Sequence, residues 1–233
     1  MIYAIISDIH ANLEALQKTL EIIEKSSVDE IICLGDIVGY GASPNECVDL
    51  VRKNCAATVL GNHDAAAIDI SAADDFHASA KKAIEWTANQ LTSVNKEFLS
   101  SLPLIVKKEE ILFVHASPHS PELWDYILDP IEVKAALGFI QEKICFFGHT
   151  HIPGIYARHG KANTISSLDQ FIVNVGSVGQ PRDRNPMLAF GIFHSSSWSY
   201  ELIRSAYSYQ QAAEKIYKAG LPEDLGFRLM YGM

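Results

Sequence analysis

Five short polar blocks carry the side chains best suited to hydrolysis assisted by metal ions. They are Ser7-Asp8-Ile9-His10, Gly35-Asp36, Gly61-Asn62-His63-Asp64, His115-Ala116-Ser117 and Gly148-His149-Thr150-His151. Among them Asp8, His10, Asp36, Asn62, His115, His149 and His151 offer carboxylate oxygens, an amide oxygen and imidazole nitrogens. Each alone has an ordinary structural explanation: Asp8 as a helix cap, Asp36, Asn62 and Asp64 as turn residues, His115 as a hydrogen-bonded core histidine. As a set they are costly to bury unless cations offset the charge. A donor set without thiolate suits Mn²⁺, Fe²⁺ or Fe³⁺, Co²⁺, Ni²⁺ and Zn²⁺, and its imidazoles argue against Ca²⁺ or Mg²⁺ as sole occupant. Seven donors exceed what one ion uses. Two ions sharing Asp36 would lie about 3.5–4 Å apart, the spacing of hydrolytic two-metal sites.

The elements that must position these blocks are short apolar runs of strand length. Ile2–Ile6, 30–34, 57–60, Ile111–Val114 and Ile144–Phe147 each run directly into one block. Between the first three lie helical patterns: residues 12–25, with Asn12 as N-cap and Leu13, Leu16, Leu20 and Ile23 in one stripe, and Pro44–Asn54, with Pro in its first turn. This βαβαβ opening predicts a parallel sheet with right-handed crossovers. The blocks then fall at the carboxyl ends of strands, the rim where α/β sheets bind ligands. The i,i+2 spacing of Asp8/His10 and His149/His151 puts each pair on one face if the chain there is extended. Gly35, Gly61 and Gly148 permit sharp turns and close approach.

The remainder reads as a mostly helical stretch at 65–102, strands at 104–107 and Ile111–Val114 joined by Lys108-Glu109-Glu110, and a helix near 130–138. Short β runs with Gly, Ser and Pro punctuation follow from 154 to about 204, clearest at 172–175, 187–193 and 200–203, and 208–230 returns to helix. No repeat or linker stands out. The expectation is one α/β domain over 1–233 with two sheet halves and a helical insert at about 65–102.

Composition narrows the class further. At 233 residues, 48% hydrophobic and 20% charged, the chain is long enough to bury a full core without disulfides or a structural metal. Its net charge of −9 lacks the cationic footprint of nucleic-acid or acidic-membrane binding. Cys33, Cys47, Cys55 and Cys145 form no C-x-x-C motif, and Cys33 and Cys145 lie in apolar runs, as reduced, buried thiols do. The apolar start meets Asp8 and His10 at once and no run approaches a membrane span, so a cytoplasmic location is expected.

The blocks D-x-H, G-D, G-N-H-D, a lone His and G-H-x-H, in that order, resemble the pattern of the calcineurin-like metallophosphoesterases over nearly the whole chain. The runs Asn174 to Asp183 and Ala219 to Pro222 are similar to a compact bacterial subgroup. The resemblance implies two packed mixed β-sheets forming a sandwich flanked by helices. It implies that Asp8, His10, Asp36 and His151 hold one metal, and Asp36, Asn62, His115 and His149 a second. It further implies a hydroxide shared by the metals as nucleophile, His63 as proton donor or hydrogen-bond donor to the leaving group, and Asp64 orienting the His63 ring.

The substrate is less constrained. Family members acting on phosphoproteins usually carry Arg soon after the G-D block, where this chain has Tyr40; the departure disfavours a serine/threonine-type protein phosphatase. Tyr40 either packs its loop or stacks on a nucleobase. Arg182 and Arg184 either grip a phosphate or are solvated loop arginines paired with Asp183. The favoured reading is a phosphoesterase acting on a phosphorylated small molecule or nucleotide, of phosphodiesterase or dinucleoside polyphosphate hydrolase type. A non-catalytic scaffold is disfavoured because His63 accompanies every expected ligand. The oligomeric state is left open.

Overall fold

Strand β1 (Ile2–Ile6) shows how the core is layered in this computed structural model, which describes residues 1–233. Alternate side chains serve two different cores: Tyr3 and Ile5 face a second sheet, while Ala4 and Ile6 face helices. With both faces covered, an unbroken apolar run is what the strand requires. Helix α1 (Leu13–Glu24) begins where the Asn12 side chain accepts the Ala15 amide at 3.1 Å, and buries Ala15, Leu16, Thr19 and Ile23 as one stripe. Then come β2 (Glu30–Cys33), α2 (Pro44–Asn54), β3 (Ala57–Thr58), α3 (Asn62–Ile68), α4 (Ala78–Gln90), α5 (Ser93–Ser100), β4 (Ile105–Lys108), β5 (Ile111–Val114) and α6 (Pro130–Phe139). The chain continues through β6 (Ile144–Phe147), β7 (Gly154–Ala157), β8 (Gly160–Ala162), β9 (Phe171–Asn174), β10 (Leu188–His194), β11 (Ser199–Ser205), α7 (Tyr209–Lys218) and α8 (Glu223–Tyr231).

Two mixed sheets result, ordered β11-β10-β1-β2-β3 and β4-β5-β6-β9-β7-β8. They meet across Tyr3, Ile5, Ile32 and Leu34 on one side and Phe113, Ile144, Phe146 and Val173 on the other. Helices α1, α2, α4 and α5 cover the outer face of the first sheet, and α6 covers that of the second through Val133, Ala136 and Leu137. This is the flanked α/β sandwich expected above. No helix is long and apolar enough to cross a membrane.

The parallel βαβαβ opening is present in β1, β2 and β3, but the sheet extends from the other side of β1 through antiparallel β10 and β11. The expected strand at 57–60 pairs only over Ala57–Thr58, because the Leu60 amide leaves the sheet for the Pro103 carbonyl at 2.8 Å. The expected helix at 208–230 is two helices. Gly220, at φ 69, and Pro222 break it between α7 and α8.

Candidate metal centre

The blocks gather at the rim where β1, β2, β5 and β6 end, but not by extended pairing. Asp8, His10, His149 and His151 have φ of 53, 50, 63 and 60°, and Asp36 has 50°. Each loop therefore curls rather than continuing its strand, and the i,i+2 alternation expected of an extended chain does not operate. The curl lets the amides of Asp8, His10 and Ala11 reach the carbonyls of Gly35, Asp36 and Ile37 at 3.1, 2.9 and 2.8 Å. Non-glycine residues in this region cost about 1–3 kcal/mol each and persist where the surroundings over-determine them. Glycine is required where the loops approach one another: a Cβ on Gly148 would strike the Ser7 hydroxyl and Asp8 carboxylate, and one on Gly61 would strike the amide and carboxylate of Asp36.

Two groups of buried donors form. In the first, donor atoms of Asp8, His10, Asp36 and His151 all lie within 4.8 Å of one another; in the second, Asp36, His115 and His149 do the same. Asp36 belongs to both, its Oδ2 lying 3.6 Å from His10 Nε2 and 3.4 Å from His115 Nε2. Asn62 joins the second group, with Oδ1 3.1 Å from His115 Nε2. All seven expected donors are thus brought together.

The protonation pattern tests whether cations fit. His10 Nδ1 lies 3.1 Å from the Val38 carbonyl and His151 Nδ1 lies 2.5 Å from the Gln180 carbonyl. Each Nδ1 must carry its proton, which leaves the two Nε2 lone pairs facing each other at 3.1 Å. Asp8 Oδ1 stands 3.3 Å from His151 Nε2. His115 Nδ1 likewise lies 2.8 Å from the Leu34 carbonyl, and its Nε2 is directed at Asn62 Oδ1 and, at 3.2 Å, at His149 Nδ1. The facing lone pairs of His10 and His151, with the Asp8 carboxylate beside them, are acceptors directed at acceptors, which a bound cation relieves, and imidazole with carboxylate suits divalent transition metals.

The titration directions divide the imidazoles into three held uncharged by burial and one, His115, held charged by the carboxylates. Burial holds His10 and His151 below the ordinary imidazole value and drives His149 down to about 3. Burial would also lower His115, but Asp36 and Asp8 outweigh it and lift the group to about 9. For Asp8 and Asp36 burial raises the pKa, and the facing imidazoles overcome it and hold both well below the usual carboxylate range.

His63 enters from the first turn of α3, beside the first donor group. Its buried ring packs on Tyr40, Phe76 and His10 at 4.5, 4.7 and 4.9 Å, its Nδ1 has no partner, and burial drives its pKa down to about 4. Asp64 does not orient it. The Asp64 carboxylate accepts the amides of Ile37, Val38 and Gly61 at 2.9, 3.1 and 3.2 Å. Adjacent residues on a helix point to different faces, so Asp64 braces the Asp36 loop instead. Tyr40 is buried, its ring 4.7 Å from that of His10. Arg182 lies over Tyr40 at 5.7 Å and bonds the Tyr40 hydroxyl and Gln180 Oε1 at 3.3 and 2.9 Å; its buried Nε has no partner. Arg184 is exposed and touches the site through no side-chain hydrogen bond, its amide bonding the Gly232 carbonyl at 2.8 Å. Nor does Asp183 pair with either arginine: it pairs with Arg204.

Several site neighbours carried no spacing signal. Asn174, at the end of β9, donates to the Gly148 carbonyl and Thr150 hydroxyl at 2.6 and 2.9 Å and so props the His149–His151 loop. Tyr126 stacks on His149 at 4.1 Å, and Trp124 meets His115 edge-on at 5.9 Å. Asn174 fell inside the strand expected at 172–175, and the structure ends that strand at Asn174, beside the rim.

Residues 1–197 match the family described as the calcineurin-like phosphoesterase superfamily domain. An uncharacterized protein of Methanocaldococcus jannaschii is 41% identical over 239 residues, covering 98% of this chain and 97% of that protein. The crystal structure of a metallophosphoesterase from Sphaerobacter thermophilus superposes with a TM-score of 0.90 at 36% identity, covering 100% of this chain and 99% of the other. A symmetrical bis(5'-nucleosyl)-tetraphosphatase of Actinobacillus pleuropneumoniae is 40% identical over 63 residues, 26% of this chain and 23% of that enzyme. Motif order, donor geometry and full-length likeness lead to one assignment: the chain belongs to the calcineurin-like phosphoesterase superfamily and is a hydrolase of phosphoric esters.

Proposed function

We propose that the protein hydrolyses phosphate mono- or diesters of small phosphorylated molecules or nucleotides, in the manner of a phosphodiesterase or dinucleoside polyphosphate hydrolase, using two divalent transition-metal ions. Asp8, His10, Asp36 and His151 would hold one ion, and Asp36, Asn62, His115 and His149 the other. When bound, the pair supplies an acidified water and electrostatic relief for charge that builds on the phosphoryl oxygens. The observation that carries this reading is the meeting of His10 Nε2 and His151 Nε2 at 3.1 Å beside two buried carboxylates.

The chain's own groups have distinct duties in this proposal. The Val38, Gln180 and Leu34 carbonyls hold Nδ1–H of His10, His151 and His115, which aims each Nε2 inward and raises its basicity as a ligand. Arg182 lies over Tyr40 with a buried, unpartnered Nε, and its planar fork would take a phosphoryl oxygen. Lying over the Tyr40 ring, it would bring from a distant loop a guanidinium that the chain does not carry at Tyr40 itself. His63, neutral near pH 7 by virtue of burial, would offer a ring N–H as hydrogen-bond donor to the leaving-group oxygen rather than a stored proton. Tyr40 and Phe76 keep water from its faces. The short stretch shared with a tetraphosphatase favours nucleotides among the substrates.

The test is metal-stripped protein reloaded with Mn²⁺ and assayed on bis-p-nitrophenyl phosphate, p-nitrophenyl phosphate, dinucleoside polyphosphates and a phosphopeptide. Turnover of one of the first three is expected. Turnover of the phosphopeptide alone, or of nothing despite bound metal, overturns the proposal.

A further inference from the structure

The irregular segment between β5 and α6 is shaped around aromatic rings. Its start is tied to its middle by the Ser117 amide on the Asp125 carbonyl at 3.2 Å. Ser120 and Trp124 both take left-handed backbone, at φ 47 and 58°. A tryptophan held there is strained, and strain of this kind clusters where a side chain must be aimed. What it aims is a pair of rings at the second donor group: Trp124 lies edge-on to His115, and Tyr126 stacks on His149 with the planes 28° apart. Yet Tyr126 is 47% exposed, so with one face against His149 the other lies open. Beside it is a cleft of about 230 Å³ whose lining includes Ser117, His119, Asp125, Tyr126, Ile127 and Glu132.

We infer that the open face of Tyr126 is a stacking platform for the nucleobase of a nucleoside phosphoester whose phosphoryl group sits at the metal centre. This rests on the phosphoester-hydrolase reading above and names the part of the substrate that remains outside the donor cage. Shielding His149 needs one face of one apolar side chain; it does not need a rigid ring with a second, solvent-washed face. Because Tyr126 is already seated on His149, it loses little freedom when a base stacks upon it. A base there lies one further ring spacing out, about 3.5–4.0 Å, which leaves a ribose to span back to the donors. The charge of the cleft selects the same occupant. Its formal charges are the Asp125 and Glu132 carboxylates, while His119 packs its ring on Phe139 at 4.1 Å. Such a cleft repels a second phosphate and accepts a neutral ring whose amino N–H groups meet carboxylate or hydroxyl oxygen.

The experiment titrates Mn²⁺-loaded full-length protein by calorimetry with AMP, ribose 5-phosphate and inorganic phosphate. The expected result is AMP binding about tenfold more tightly than ribose 5-phosphate. Tyr126→Leu, which still covers His149, should erase most of that ratio, and Tyr126→Phe should keep it. Mn²⁺ stoichiometry and phosphate affinity should hold across all three proteins. Equal affinities for AMP and ribose 5-phosphate in the wild type, or an unchanged ratio in Tyr126→Leu, would overturn the assignment. So would loss of Mn²⁺ and phosphate binding in Tyr126→Leu, which would make Tyr126 only a brace for His149. Failure of the hydrolase reading shows separately, as no turnover on any ester with these binding ratios intact.

Discussion

His63 and Asp64 are neighbours that point to different work, and each can be tested alone. If His63 donates to the leaving oxygen, His63→Ala should retain both metals. It should lose about 10²–10⁴-fold in turnover on esters with poor leaving groups and little on p-nitrophenyl esters, which leave unaided. Metal content and kcat on the two ester classes check this; equal loss on both would remove the assigned role. Asp64 instead gathers three amides, two of them from the loop just after Asp36. In Asp64→Asn one carboxylate oxygen becomes an NH₂ set against an N–H donor. The expected cost is about 1–3 kcal/mol in urea unfolding, with the pH profile of turnover unmoved. A shifted profile would return Asp64 to the role of orienting His63.

At the scale of elements, strand and helix identity was legible because the apolar periods are clean. Alternate residues of β1 serve two cores, and Asn12 marks the start of α1 as capping chemistry requires. The donors were legible for a related reason, since each follows an apolar run that can only be a buried strand. Less legible was the path between strand and donor. Left-handed backbone at Asp8, His10, Asp36, His149 and His151 is imposed by tertiary hydrogen bonds, which local propensity does not register. Arg182, Asn174 and Tyr126 reach the site from segments whose place depends on topology, so no spacing announced their contacts. The curled loops also make a prediction. Gly148→Ala must push against Asp8 and Ser7, so Mn²⁺ affinity should fall at least about tenfold while far-UV circular dichroism stays that of the folded sandwich. Unchanged affinity by calorimetry would show that the loop can yield without moving Asp8.

For the whole molecule, a rim in which four buried imidazoles, His10, His63, His149 and His151, are held uncharged makes the metal-free fold sensitive to acid. His10 and His151 are held below their unfolded value, and His63 and His149 fall to about 4 and 3. Between those values and about 6.5 the unfolded chain binds protons that the folded chain refuses, so stability rises with pH there. Asp64, raised to about 7 by burial and by Asp36, opposes this with one group against four. His115, lifted to about 9, contributes stability that is complete below 6.5 and fades as pH climbs through 9. The metal-free protein should therefore be most stable near neutrality, losing stability from pH 7 to 5 and again from 7 to 9. Urea denaturation at those three values measures it. Mn²⁺ at about 100 times its Kd should add about 2.7 kcal/mol at pH 7, and less at pH 5, where protons compete for the same nitrogens. A flat profile from 5 to 7 in the metal-free protein would mean the imidazoles are hydrated rather than enclosed, and the cage of inward-facing lone pairs would lose its physical basis.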